Sequence, residues 1–140
     1  MSDKQTEANK ALAATFLKVL CVGDVEGLKP LMTDDIVAYA MGSANISGAR
    51  RYDDIVAVAS AFPVVTKSGL NPNILSVTAE GDRVAIEWEG HCTLANGAQY
   101  DNQYVMVFFV RDDKVYQLKE YFCTKLADEV LVPLLSQVAP

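Results

Sequence analysis

A period-two alternation of polar and apolar residues dominates the second half of the chain. Four runs carry it, at residues 73–80, 82–94, 98–111 and 113–124. Such alternation is typical of strands with one face on a core and the other in water. The junctions between the runs hold residue pairs that favour tight turns: Gly81-Asp82, Asn96-Gly97 and Asp112-Asp113. The pattern therefore predicts four consecutive antiparallel strands.

The first half of the chain has helical periodicity instead. Apolar residues recur at helical spacing from Ala8 to Leu20, and Gly23 is placed to end this first helix. Ser2 and Gln5 have the spacing of a capping box at its start. We therefore expect a long first helix packed by one apolar stripe.

Four further elements are predicted around this frame. They are a short helix over 24–32, a strand over 34–41, a third helix from Ala49 to Phe62 closed by Pro63, and a last helix over 125–138. Helices followed by an antiparallel meander indicate an α+β fold, with the helices on one face of the sheet. The length of 140 residues fits one domain, residues 1–140.

Composition argues against several classes of partner. The net charge of −6 and the lack of a basic stripe disfavour a nucleic-acid surface. The apolar runs are too short to span a membrane, and the polar N-terminus is unlike a signal peptide. The three cysteines are far apart in sequence, which favours reduced thiols and a cytoplasmic location.

Most familiar catalytic signatures are missing from the sequence. The single histidine, His91, is in phase with the polar residues Arg83, Glu87 and Glu89, so we expect it on the surface. A single histidine argues against a zinc site, and no metal site is expected. The glycine-rich motifs that bind nucleotide phosphates are absent, so no cofactor is expected.

The last predicted strand places one acid in an apolar row. Tyr116, Leu118, Glu120 and Phe122 share a face under strand periodicity, and that face is predicted to point inward. Burying a carboxylate without a partner is costly. The position of Glu120 therefore needs an explanation.

Two explanations for Glu120 remain open at this point. In the first, Trp88, Asn102, Tyr104 and Glu120 line one partly apolar hollow that binds a small molecule, and a desolvated carboxyl with a raised pKa acts as a general acid or base. In the second, Glu120 is a structural anion that accepts hydrogen bonds from Asn102 and Tyr104 or pairs with an arginine at a subunit interface. Trp88 and the tyrosines are then core or interface filler.

Three segments resemble one known superfamily. They are KVLCVGDVEGLKPLMTDDIVAYAMG, SGARRYDDIVAVA and YDNQYVMVFFVRDDKVYQLKEYF. The chain resembles the nuclear transport factor 2-like superfamily over about residues 8–124, and most closely its ketosteroid-isomerase-like, SnoaL-like polyketide cyclase branch. The resemblance implies a cone-shaped α+β barrel, in which a curved antiparallel sheet wraps around three N-terminal helices. It also implies a hydrophobic cavity and a homodimer formed through the sheet.

The resemblance does not extend to the isomerase chemistry. The position of the isomerase's oxyanion tyrosine falls at Phe16, which has no hydroxyl, and its general-base aspartate falls at about Ala40. SnoaL-like cyclases and the related limonene-epoxide hydrolases keep an acid on the cavity side of the last strand, and Glu120 resembles that acid. Phe16 and Tyr39 join Trp88, Asn102 and Tyr104 as candidate substrate-binding residues, with Glu120 as the candidate catalytic residue.

Two hypotheses follow from the sequence. One is a cavity enzyme of isomerase, cyclase or hydrolase type that acts on a small apolar or aromatic carbonyl compound, with Glu120 as acid/base and with Asn102 and Tyr104 polarising an oxygen. The other is a non-catalytic ligand-binding or dimerisation module, because one fold hosts many functions.

Overall fold

The helices pack against one side of a curved sheet in a computed structural model that describes residues 3–138. The helical elements are α1 (Asp3–Val22), α2 (Val25–Leu28) with the 3₁₀ turn Lys29–Leu31, α3 (Tyr52–Val65), α4 (Thr124–Leu126), the π-helical turn Ala127–Leu131, and α5 (Val132–Val138). The α+β class is confirmed. The predicted cap at Ser2 lies outside the described residues.

Six strands form one sheet in the order β2-β1-β6-β5-β4-β3. Their bounds are β1 (Met32–Ala40), β2 (Gly48–Arg50), β3 (Asn71–Glu80), β4 (Arg83–Thr93), β5 (Gln99–Arg111) and β6 (Lys114–Phe122). The predicted meander is confirmed from β3 to β6, where each strand pairs antiparallel with the next. The Asp112-Asp113 turn has φ angles of 52° and 61°, as a tight hairpin turn requires at both central residues.

One pair of strands departs from the prediction of an antiparallel sheet. β1 pairs parallel to β6, with Ala38 opposite Leu118 and Ala40 opposite Glu120. β1 is separated in sequence from the meander by β2 and α3, so no hairpin dictates its direction. The sheet is consequently mixed.

The inner row of β6 is interrupted by a bulge. Val115 pairs with Val110, while Gln117 pairs with Phe109, so Tyr116 has no opposite residue. The predicted inward position of Tyr116 is therefore wrong: its ring packs against Phe109 and its hydroxyl bonds Asp82. Bulges of this kind increase the local twist and bend the strand.

The third helix begins later than predicted and does not end at Pro63. Ala49 and Arg50 belong to β2, because they pair with Tyr39 and Ala38. The helix ends at Val65, and Pro63 lies inside its last turn. Gly23 packs against this turn: a Cβ at Gly23 would lie 2.8 Å from Pro63 Cδ, so only glycine fits there.

The end of the interior beneath the middle of α1 is filled by large apolar side chains. Phe16 and Leu17 of α1 are fully buried, as are Val84, Ile86 and Phe108 of the sheet. The Phe16 and Phe108 rings meet edge to face, with centroids 5.6 Å apart. We call this region the closed end.

Candidate functional site

The opposite end of the interior contains a pocket of about 250 Å³. Its walls come from the inner faces of β1, β4, β5 and β6, from Ile55 and Phe62 of α3, and from Leu131 and Leu135 of the C-terminal helical segment. A cavity of ~150 Å³ holds benzene. The pocket is therefore large enough for a molecule of roughly ten heavy atoms, about one or two rings.

Glu120 points into this pocket from β6. It lies opposite Met106 of β5 and Ala40 of β1, and its partly accessible surface lines the pocket. Within residues 3–138, no group donates a hydrogen bond to its carboxylate, and Asn102, a donor expected from the sequence, bonds elsewhere. The carboxylate thus lacks the partners that usually stabilise a buried charge.

The surroundings of Glu120 favour its neutral form. Burial raises the pKa of the Glu120 carboxyl from 4.5 to about 7, and the positive charge of Arg50 opposes that rise. A carboxyl with such a pKa is divided between its acid and base forms near neutral pH. It has the protonation behaviour that proton transfer requires.

Trp88 and Tyr104 form one stacked wall of the pocket. Their ring centroids are 4.0 Å apart and the rings are nearly parallel, at 7°. Gly90 permits this packing, since a Cβ there would lie 3.0 Å from Trp88 Cζ3 and 3.2 Å from Tyr104 Cε2. The indole N–H of Trp88 is buried away from the pocket space and has no acceptor among the described residues, so Trp88 contributes an apolar ring face to the wall.

Tyr100, which the sequence analysis did not single out, links this wall to the sheet. Its hydroxyl accepts a hydrogen bond from Asn102 Nδ2 at 2.9 Å and also hydrogen-bonds with the Tyr104 hydroxyl. Burial raises the pKa of both phenols, that of Tyr104 strongly, so both stay protonated at neutral pH. The Tyr100 proton has no acceptor among the described residues, and the residue lines the pocket.

Asn102 is buried but does not line the pocket. Its amide nitrogen also donates to the Cys123 carbonyl at 3.1 Å, and its side-chain oxygen accepts from the Cys123 amide at 3.3 Å. Asn102 therefore ties β5 to the end of β6 and holds Tyr100. Direct contact with a pocket ligand, as expected from the sequence, has no geometric basis.

Phe16 and Tyr39 also lie apart from the candidate centre. Phe16 belongs to the closed end and is not part of the pocket wall. Tyr39 borders the pocket, but it pairs with Lys119, whose side chain is on the outer face of the sheet. The Tyr39 side chain shares with Gln117 and Lys119 a second, outer depression. Of the six candidates, the structure brings Glu120, Tyr104 and Trp88 together in the pocket.

Arg50 is a pocket residue that the sequence analysis missed. Its Nη2 donates to the Ile46 carbonyl at 2.6 Å, and the residue lines the pocket. The sequence predicts that Arg50 lies in the third helix, whereas the structure places it in the edge strand β2. The sequence pattern therefore does not indicate that its side chain faces the interior. Cys21 of α1 also lines the pocket, where burial and the Glu120 charge raise its thiol pKa.

Other kinds of site find no support in residues 3–138. These residues contain no group of three or more His, Cys, Asp and Glu side chains placed to hold a metal ion. No helix among them is both long and apolar enough to cross a bilayer. His91 lies on the surface, as predicted, with Nδ1 3.2 Å from Asp101.

Comparison with known proteins agrees with this architecture. A family model described as a SnoaL-like domain matches residues 13–118. Among curated proteins, no sequence matches the chain closely enough to count as a relative.

Solved structures share the fold at low sequence identity. PrhC from Penicillium brasilianum has a TM-score of 0.81 at 16% identity, covering 94% of this chain and 90% of that one. Bal32a from a soil-derived mobile gene cassette has 0.78 at 20%, covering 89% and 96%. TerC co-crystallised with polyporic acid has 0.75 at 20%, covering 89% and 98%. At this identity the likeness establishes the fold.

Proposed function

The chain belongs to the family of SnoaL-like domains, and from that premise we propose that it is a small-molecule enzyme with Glu120 as its general acid/base. The substrate is an apolar or aromatic molecule that carries a carbonyl group, and the reaction is of isomerase, cyclase or hydrolase type. The observation that carries the proposal is the Glu120 carboxyl: it faces an apolar pocket, no described group donates to it, and its pKa is raised to about 7.

Proton transfer next to a carbonyl is the step that this pocket serves best. The Glu120 carboxylate takes a proton from the carbon beside the carbonyl, and the C–H electron pair forms an enolate whose charge lies on oxygen. The carboxyl then returns the proton to the same or a neighbouring carbon. A base whose pKa is near the working pH can perform both halves of this cycle.

Tyr100 is the best donor for the enolate oxygen. Its hydroxyl already accepts from Asn102 and Tyr104, and incoming hydrogen bonds strengthen the donor that they polarise. This assigns Asn102 and Tyr104 an indirect part, since both act by orienting Tyr100.

A ligand-binding module without catalysis is the alternative. One observation in its favour is that Glu120 is the sole carboxylate among the described pocket-lining residues. In addition, Tyr100, Tyr104 and Asn102 form a hydrogen-bond network that connects β5 to the end of β6. In that case the pocket stores or carries an apolar molecule and Glu120 tunes its affinity.

Hydrogen exchange in heavy water separates the two functions without the natural substrate. The probe is 2-tetralone, a bicyclic aromatic ketone that suits the pocket volume, and NMR follows deuterium incorporation beside its carbonyl. The wild type should accelerate exchange, and Glu120→Gln should lower the acceleration by ~10²–10⁴-fold. Glu87→Gln, an exposed acid on the outer face of β4, is the matched control and should leave the rate unchanged. Equal rates for the wild type and Glu120→Gln would reject the enzyme proposal.

The outer face of the sheet is the proposed dimer surface. Val105 and Tyr121 lie directly opposite each other on β5 and β6, and both are exposed. A second copy of the chain would cover this apolar patch. Sedimentation at micromolar concentration should give a dimer that Tyr121→Glu converts to monomer; a wild-type monomer would refute this arrangement.

A further inference from the structure

The register of three neighbouring strands places Arg50 and Glu120 on the same inner face. Arg50 of β2 lies opposite Ala38 of β1, and Ala38 lies opposite Leu118 of β6. Glu120 is two residues beyond Leu118, so its side chain points to the same side. The two charged residues are thus separated by the whole width of β1, and both line the pocket.

The space between the two charged residues is left open by small side chains. Ala38 and Ala40 are the inner-face residues of β1 at this level, and both line the pocket. β2 and β6 are two strand spacings apart, roughly 10 Å. Neither Arg50 nor Glu120 takes part in any ion pair of the described residues. A molecule lying over the two alanines can therefore touch Arg50 at one end and Glu120 at the other.

Arg50 is held in place while most of its donors stay unused. A guanidinium has five N–H donors, and the described residues accept one hydrogen bond from Arg50, at the Ile46 carbonyl. That bond fixes the side chain at the pocket edge. The remaining donors form a planar fork, the geometry that binds a carboxylate with two parallel hydrogen bonds.

We propose that Arg50 binds a carboxylate of the substrate, so that the pocket takes a small aromatic or alicyclic keto acid whose carbonyl end lies against Glu120. This assignment of substrate class rests on the proposed function for the carbonyl end. The carboxylate end stands on its own, since it depends on the position and free donors of Arg50. The substrate anion supplies the partner that the Arg50 charge lacks in the described part of the chain.

Binding of such an anion is coupled to the proton on Glu120. The positive charge of Arg50 lowers the Glu120 pKa. An anion bound at Arg50 neutralises that charge, so the Glu120 pKa rises and the carboxyl takes up a proton as the ligand binds. The other titratable groups in the pocket wall are Cys21 of α1, Tyr39 of β1, Cys92 of β4 and Tyr100 and Tyr104 of β5. Burial raises the pKa of the two cysteines and of Tyr100 and Tyr104, so these four stay neutral near pH 7. Affinity for the anion should consequently rise as the pH falls from 8 to 6.

Calorimetry with benzoate tests the assignment, and benzamide serves as the neutral probe of the same shape. Arg50→Gln should weaken benzoate binding about tenfold or more, because a charge-assisted pair is lost. It should leave benzamide binding within about twofold, since a neutral amide makes no charge-assisted pair. Arg51→Gln, the adjacent exposed arginine, is the matched control and should bind benzoate as the wild type does. Equal benzoate affinity in the wild type and Arg50→Gln would overturn the proposal.

Two further arms keep the outcome decisive. If Arg50→Gln does not fold, the wild type alone must bind benzoate more tightly than benzamide at pH 6, and the opposite order refutes the proposal. In Glu120→Gln the dependence of benzoate affinity on pH should vanish while its dependence on Arg50 remains. Arg50-dependent binding together with 2-tetralone exchange that is unchanged in Glu120→Gln would refute the enzyme proposal and leave the anion site standing.

Discussion

The closed end and the pocket are built from the same helices and strands, yet the first is filled by side chains and the second is open. β5 contributes Phe108 to the closed end and Tyr104 to the pocket, and α1 contributes Phe16 and Cys21 in the same order. At the closed end large rings interdigitate without polar atoms. At the pocket, small residues leave space, and the Glu120 carboxylate has no hydrogen-bond donor among the described residues. One continuous inner face thus forms a packed core at one end and an open pocket at the other, and side-chain size decides which.

The largest expected effect is the loss of a ring from the closed end. Phe16→Ala should lower the free energy of unfolding by ~3–5 kcal/mol, because it removes buried surface and leaves a cavity. Leu131→Ala, in the pocket wall, enlarges an existing space and should cost clearly less, under ~2 kcal/mol. Urea denaturation measures both. Equal costs would show that the two ends are packed alike.

The pH dependence of stability is the next effect in size. The folded protein holds Glu120 protonated up to a pKa of about 7, whereas the unfolded chain ionises near 4.5, so the wild type loses roughly 3 kcal/mol relative to Glu120→Gln as the pH rises from 4.5 through 7. Below 4.5 the carboxyl is protonated in both states and the difference is absent. Thermal melting of both proteins from pH 4 to 8 measures it, and a wild type that gains stability over Gln between pH 4 and 6 contradicts it.

A matched pair of enlargements gives the smallest effect and the sharpest contrast. Ala13 of α1 is fully buried at the closed end, whereas Ala38 faces the pocket. Ala13→Leu should destabilise by ~1–3 kcal/mol through overpacking. Ala38→Leu should change stability by less than ~1 kcal/mol and abolish benzoate binding, because its side chain occupies the space between Arg50 and Glu120. Quenching of Trp88, the single tryptophan, reports binding in each variant.

Much of the fold could be predicted from the sequence because the local signals agree with one another. Period two and the turn residues specify the meander, and the same period assigns Glu120, Trp88 and Tyr104 to the inner face. The alternation carries no information about β1 pairing parallel to β6, since that contact joins residues far apart in sequence. The bulge at Tyr116 likewise depends on how β5 and β6 pair.

The candidate site was harder to predict than the fold for a related reason. The sequence pattern predicts that Phe16 and Tyr104 are both buried aromatic residues. Which of the two borders a pocket depends on the sizes of the side chains that face them across the interior. The inward position of Arg50 could not be predicted, because its edge strand of three residues is too short to show a period-two alternation. The use of Asn102 in bracing the sheet follows from contacts with Cys123, twenty-one positions away.

The protonation of Glu120 tests the account most directly. Its carboxyl carbon can be labelled with ¹³C and assigned by comparison with Glu120→Gln, and its chemical shift followed by NMR from pH 3 to 9. We expect a titration midpoint near pH 7, because burial in the pocket raises the pKa to about that value. A midpoint at or below the ordinary 4.5 would mean that the carboxylate is well stabilised in the folded protein, and would contradict the proposed role of Glu120 as acid/base.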